Sequence, residues 1–150
     1  TLIVTPKGES LLIDTGWPGN DSRDAERIAR QAKKAGIKQI DWLLITHHHT
    51  DHVGGITTLM DKMKVVNLVS HGPNTETGKN ADQLTKQYNE AKAQLKEVIV
   101  KPGDRLPLQG VDIEIITARG NILDKPSNLA SGAGNNPLCA QATKQDPDPT

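Results

Sequence analysis

The apolar run Trp42-Leu43-Leu44-Ile45 passes without a break into Thr46-His47-His48-His49-Thr50-Asp51-His52, and this junction constrains the chain more than any other stretch. A near-continuous apolar run of this length predicts a strand buried on both faces, so layers of structure must lie on either side of its sheet. Four of the five histidines then follow within six residues. In extended backbone, residues i and i+2 share a side. His47 and His49 can therefore converge on one metal ion while His48 points elsewhere. Asp51 and His52, at the entry to the next helix, are placed to hold a second metal beside the first. Imidazoles with a carboxylate suit Zn2+, with Fe or Mn as alternatives. A lone histidine is usually a satisfied core or surface group. A cluster that ends a buried strand, internal to the chain and broken by Thr50-Asp51, is not explained that way. Thr50 is a candidate cap for the next, short helix, and Gly54-Gly55 removes side chains where backbone must pass close to the site.

Around this junction strand and helix patterns alternate. Thr1–Thr5 and Ser10–Ile13 predict a hairpin about a Pro6–Glu9 turn. Residues 22–35 predict a helix, with Ala25, Ile28, Ala29, Ala32 and Ala35 on one face, Asp21 or Ser22 as cap, and Gly36 as stop. A short helix is expected over 53–63, a strand over 65–69 and a helix over 80–95. Strands at 98–100 and 111–117 complete a ββαβαβαββ order, an α/β layered pattern. Residues 121–150 are rich in Gly, Ala, Asn and Pro and lack periodicity; they predict a loop or disordered end after a domain spanning 1–120. The lone Cys139 falls there as a free thiol.

Charge narrows the function. Lys+Arg and Asp+Glu are 18 each, which argues against a general nucleic-acid or membrane-surface binder. The only aromatics are Trp17, Trp42 and Tyr88, so no stacking platform for bases is present. No apolar run is long enough to span a membrane. The chain begins at Thr1, inside a strand pattern and without Met, so the natural N-terminus is expected to lie upstream and localisation stays open.

Thr46-His47-His48-His49-Thr50-Asp51-His52 matches the T-H-x-H-x-D-H signature of the metallo-β-lactamase superfamily. Leu11-Leu12-Ile13-Asp14-Thr15-Gly16 matches its upstream strand ending in D-T-G, at the right separation and with one helix between. Residues 1 to about 120 thus resemble that superfamily. Asp51–Gly55 with Ser70-His71-Gly72-Pro73 look most like bacterial proteins related to the hydrolase domain of DNA-uptake channels. The resemblance implies an αββα sandwich, its N-terminal half to two-thirds present, with a dinuclear zinc site. His47 and His49 would bind the first zinc, and Asp51 and His52 the second. A hydroxide between the metals would attack a phosphodiester, an ester or lactone, or an amide-type bond. Alternatives are a non-catalytic binding module of the same fold and a structural metal site.

Two further residues have open roles. Asp14 either accepts the free N–H of a ligand histidine, fixing its tautomer, or caps the turn before Gly16. His71, at another strand end, is either on the substrate side of the site or an exposed loop residue. The family pattern also needs ligands downstream, yet no His follows His71, and Asp112, Asp124, Asp146 and Asp148 sit in no recognisable motif. Four ligands over two metals leave each with fewer than the three usual in a catalytic zinc site, so residues 1–150 alone are expected to be inactive.

Overall fold

The N-terminal hairpin is present in the computed structural model, which describes residues 1–125 and 127–129. β1 (Leu2–Val4) pairs antiparallel with β2 (Ser10–Ile13). β2 then lies parallel to β3 (Gln39–Leu44), β3 to β4 (Lys64–Ser70) and β4 to β5 (Lys96–Ile99), in the order β1-β2-β3-β4-β5. Parallel neighbours need crossover connections. These are α1 (Arg23–Lys34), the pair α2 (Thr50–Val53) and α3 (Ile56–Lys62), and α4 (Lys79–Lys92).

The side-chain period of two sorts the sheet into two faces. Leu12, Leu43 and Leu68 stand in one register row and are buried under Ala25 and Ala32 of α1, Ile56 and Leu59 of α3, and Leu84, Tyr88 and Ala91 of α4. Each such leucine contributes about 1.5–3 kcal/mol by leaving water. On the other face Leu11, Ile13, Trp42, Leu44, Val69 and Val98 pack with Leu106 and Leu108. Leu106 belongs to the short antiparallel pair β6 (Arg105–Leu106) and β7 (Ile113–Glu114), which begins a second β layer. The sheet is thus covered by helices on one side and by β structure on the other, the arrangement of a partial αββα sandwich. Asp41 fastens β2 to β3 within it: Ser10 donates to Asp41 Oδ2 from N and Oγ, both at 2.9 Å, and Gln39 Nε2 donates to Oδ1 at 2.8 Å. Burial pushes this carboxyl up, but the Gln39 and Ser10 hydrogen bonds more than offset that and hold it below its ordinary value.

Several elements differ from the sequence-based expectation. The helix expected over 53–63 is α3, Ile56–Lys62, and the separate α2 precedes it across Gly54-Gly55. The strand expected over 111–117 keeps only Ile113–Glu114. Thr117–Ala118 (β8) instead folds back on Asn121–Ile122 (β9) around Arg119 and Gly120. Both of those have positive φ, 52° and 71°, as a two-residue hairpin with primed turn geometry requires. That hairpin straddles the expected boundary at 120. Most of 121–150, with Cys139, Asp146 and Asp148, lies outside the described residues. Gly36 follows the end of α1 with φ 78°, as expected of its stop, but the expected side-chain N-caps are absent. Asp21 and Ser22 both have positive φ and Ser22 makes no side-chain cap bond, while Asp24, inside α1, accepts from Trp17 N at 3.1 Å. His49, not Thr50, occupies the cap position of α2. Among the described residues no helix is long and apolar enough to cross a membrane.

Gly55 shows how closely the loop after β2 packs on the histidine segment. A Cβ there would lie 2.5 Å from Thr15 O, and one at Gly54 would lie 2.4 Å from Pro18 Cδ. Gly55 has an ordinary φ of −83°, so the demand is steric and not conformational. Gly55→Ala should therefore cost at least the ~1–3 kcal/mol typical of overpacking. It should appear as a lower denaturant midpoint at unchanged slope. An unchanged midpoint would mean that the two segments are not packed this tightly.

Candidate metal centre

Because β2 and β3 are parallel neighbours, their C-terminal ends deliver two loops to one place. Asp14 N donates to Leu44 O at 2.9 Å. Thr15 donates to His52 O from N at 2.7 Å and from Oγ1 at 2.9 Å, and Gly55 N donates to Gly16 O at 3.0 Å. The loop after β2 thereby holds the start of α2. It does so with Asp14 in the left-handed region, at φ 61°. Non-glycine residues seldom adopt this conformation, though aspartate is among those that tolerate it.

The Asp14 carboxylate organises the histidine segment. Oδ1 accepts from Thr46 N at 2.9 Å, and Thr46 Oγ1 lies 3.0 Å from each carboxylate oxygen. His52 Nδ1 is 2.8 Å from Oδ2. An ionised carboxylate only accepts, so His52 carries its proton on Nδ1, and in the neutral ring Nε2 is left as a bare lone pair. That Nε2 faces Asp51 Oδ2 at 3.5 Å. In that neutral form two electron-pair donors confront each other with no proton between them.

His47 completes the group, its ring centroid 3.8 Å from that of His52 and 4.6 Å from that of His49. Burial, then the neighbouring His52 and His49 rings, hold the His47 pKa below the ordinary imidazole value. That favours the neutral form in which a ring nitrogen can bind a cation. Thr46 Oγ1 is 3.1 Å from His47 Nδ1. Glu76, from the loop between β4 and α4, places Oε1 2.8 Å from His49 Nε2. The sequence alone assigned no role to Thr46 or Glu76. Thr46 could have been suspected from its place between strand and histidines. Glu76 reaches the cluster only through the tertiary fold.

The donor chemistry of imidazoles with a carboxylate fits a divalent cation such as zinc. Among the described residues, however, no three His, Cys, Asp or Glu side chains close around one point. His47, His49, Asp51 and His52 are the residues of this segment that would contribute to such a shell, and they do not complete one by themselves. Asp112 is elsewhere occupied, exposed and 3.5 Å from Arg105 Nη1.

His48 goes the other way. It is 3% exposed, its ring 4.8 Å from that of Tyr88 and 5.1 Å from that of His71. Among the described residues His48 Nε2 has no hydrogen-bond partner. Burial, reinforced by His71, pushes the His48 pKa down to about 4, and burial pushes the Tyr88 phenol up to about 12.

A base whose pKa is depressed on folding contributes stability that is complete above its unfolded value and is lost as pH falls toward its folded one. For His48 that window runs from about 6.5 down to about 4. Within it the unfolded chain binds one proton more than the native one, so stability should fall by up to ~1.4 kcal/mol per pH unit. His48→Phe, which keeps a ring against Tyr88, should flatten the slope relative to wild type in chemical denaturation across that range. Parallel curves would contradict a neutral buried His48.

Comparisons with known proteins agree with this geometry. Residues 1–124 match the family model described as the metallo-beta-lactamase superfamily. The chain is 30% identical over 126 residues to a hydroxyacylglutathione hydrolase of Idiomarina loihiensis, covering 84% of this chain and 40% of that protein. It is 33% identical over 120 residues to a hydroxyacylglutathione hydrolase of Erwinia tasmaniensis, covering 77% and 36%. A UPF0173 metal-dependent hydrolase of Herpetosiphon aurantiacus is 35% identical over 63 residues, covering 42% and 24%. The chain thus spans at most about two-fifths of the length of these relatives. With the family model matching 124 of its 150 residues, and with the histidine segment seated where two parallel strands end, the chain belongs to the metallo-β-lactamase superfamily, whose relatives here are hydrolases.

Proposed function

We propose that this chain carries part of the metal centre of a zinc-dependent hydrolase, with His47 and His49 on one ion and Asp51 and His52 on a second. The observation that carries this reading is the facing pair His52 Nε2 and Asp51 Oδ2, 3.5 Å apart, with the only proton of the neutral ring committed to Asp14. Without a cation these lone pairs repel. Zinc ligands stand about 2.0–2.2 Å from the ion, so neighbouring ligands of a tetrahedral ion are spaced about 3.4 Å apart. When bound, a zinc pair supplies a nucleophile at neutral pH and polarises the scissile bond.

The protein's own residues have separable tasks. His47, His49 and His52 offer ring nitrogens, and Asp51 adds the negative charge that a divalent ion needs. Asp14 holds His52 in the tautomer that leaves Nε2 free. His48, turned into the core, anchors the segment from behind and takes no part in binding. The substrate class is suggested by the relatives. An acylated glutathione is a thioester, and a carbonyl centre of that kind suits the same chemistry as a lactone or phosphodiester.

The full-length protein should hydrolyse an acyl-glutathione thioester, or failing that a lactone or a chromogenic phosphodiester. Activity should vanish on chelation, return with zinc, and be abolished in His52→Ala. Manganese and iron reconstitution would establish metal preference. Turnover indifferent to chelation, or a metal-loaded protein inert toward all three bond types, would refute the assignment. Asp14→Asn keeps a residue that tolerates positive φ but loses the anionic acceptor. It should lower zinc affinity or activity by about 10–100-fold, as loss of a group orienting a ligand typically does. Unchanged zinc affinity with reduced thermal stability would reduce Asp14 to a turn residue.

A further inference from the structure

We propose that the Thr46 hydroxyl is a proton-ordering relay, extending the acceptor character of Asp14 to His47 so that one carboxylate sets the tautomers of two imidazoles. The inference rests on the reading of His47 and His52 as metal ligands. Thr46 Oγ1 has four neighbours: both Asp14 oxygens at 3.0 Å, His47 Nδ1 at 3.1 Å and His52 Nδ1 at 3.1 Å. A hydroxyl has one proton and two lone pairs, so the roles can be assigned by counting.

Asp14 already takes the His52 Nδ1 proton through the shortest contact in the group, 2.8 Å. Suppose the Thr46 proton went to His47 Nδ1. Oγ1 would then face both oxygens of a carboxylate at 3.0 Å with no proton between, a buildup of negative charge on negative charge. Giving the proton to Asp14 removes that repulsion and turns an Oγ1 lone pair toward His47. His47 Nδ1 must then be the donor, and its Nε2 the bare nitrogen, as in His52. The Thr46 main chain is held beside the same carboxylate, its N–H donating to Asp14 Oδ1 at 2.9 Å. Thr46 is on this account a positioning residue: it acts through His47 and need not touch substrate.

The test reads tautomers directly, by long-range 1H–15N correlation of the imidazoles in the metal-free, full-length protein near pH 8, above the ordinary histidine range. Wild type should show His47 and His52 both protonated at Nδ1. In Thr46→Val, which keeps the shape without the hydroxyl, His52 should be unchanged and His47 should shift toward the Nε2–H form. Thr46→Ser should retain the wild-type pattern. Zinc affinity should fall by about 10–100-fold in Thr46→Val and stay near wild type in Thr46→Ser. His47 protonated at Nε2 in wild type would overturn the relay, and that reading needs no variant to fold. An unchanged His47 tautomer or unchanged zinc affinity in Thr46→Val would overturn it as well. If the tautomer pattern holds but wild type binds no zinc, the metal assignment fails and the proton ordering stands.

Discussion

The structure turns on the parallel pairing of β2 with β3, because that pairing alone brings Asp14 beside Thr46 and His52. The two strands are secured near both ends by carboxylates. Asp41 takes Ser10 N and Oγ within the sheet, and Asp14 takes Thr46 N where the sheet stops. Between them Leu12 meets Leu43 in register with both faces of the sheet covered. A shift of one residue would turn this apolar set to the wrong face. It would also carry Asp14 away from the histidines, so the core and the site share one register.

The same constraint explains how a cluster of polar groups is tolerated at the edge of a packed core. His47, His49 and His52 would crowd one another as cations; burial and mutual repulsion keep His47 on the neutral side. Asp14 supplies anionic compensation and orientation together, at the cost of a left-handed backbone conformation of its own. Alternation sends His48 down into contact with Tyr88, where an unprotonated ring is tolerated and a charged one is not. One face of the segment is available for chemistry because the other is committed to packing.

Much of this was legible in the residues. The apolar run into His47–His52, the D-T-G strand end at Asp14–Gly16 and the helical spacing of Ala25, Ala29 and Ala32 each carry a local period or motif, and the fold keeps them. The features that were not legible depend on contacts distant in sequence or on backbone sign. Gly54-Gly55 marks a close backbone approach in the sequence, but that Thr15 and Pro18 are the groups approached shows only in the fold. The β8–β9 hairpin results from positive φ at Arg119, a residue that seldom adopts it. Glu76, in the loop between β4 and α4, meets His49 only through the tertiary fold. Asp14 could be narrowed to two roles by its position, but the tautomer argument needed the 2.8 Å contact with His52.

The central claim is that one face of the Thr46–His52 segment, backed by Asp14, holds metal. The most direct measurement is anomalous diffraction at the zinc edge from crystals of the zinc-loaded, full-length protein. The account predicts two adjacent peaks, one within ligand distance of His47 and His49 and the other within ligand distance of Asp51 and His52, with His48 still packed on Tyr88. Zinc bound to His48 or His71, or only at surface residues away from this segment, would contradict it.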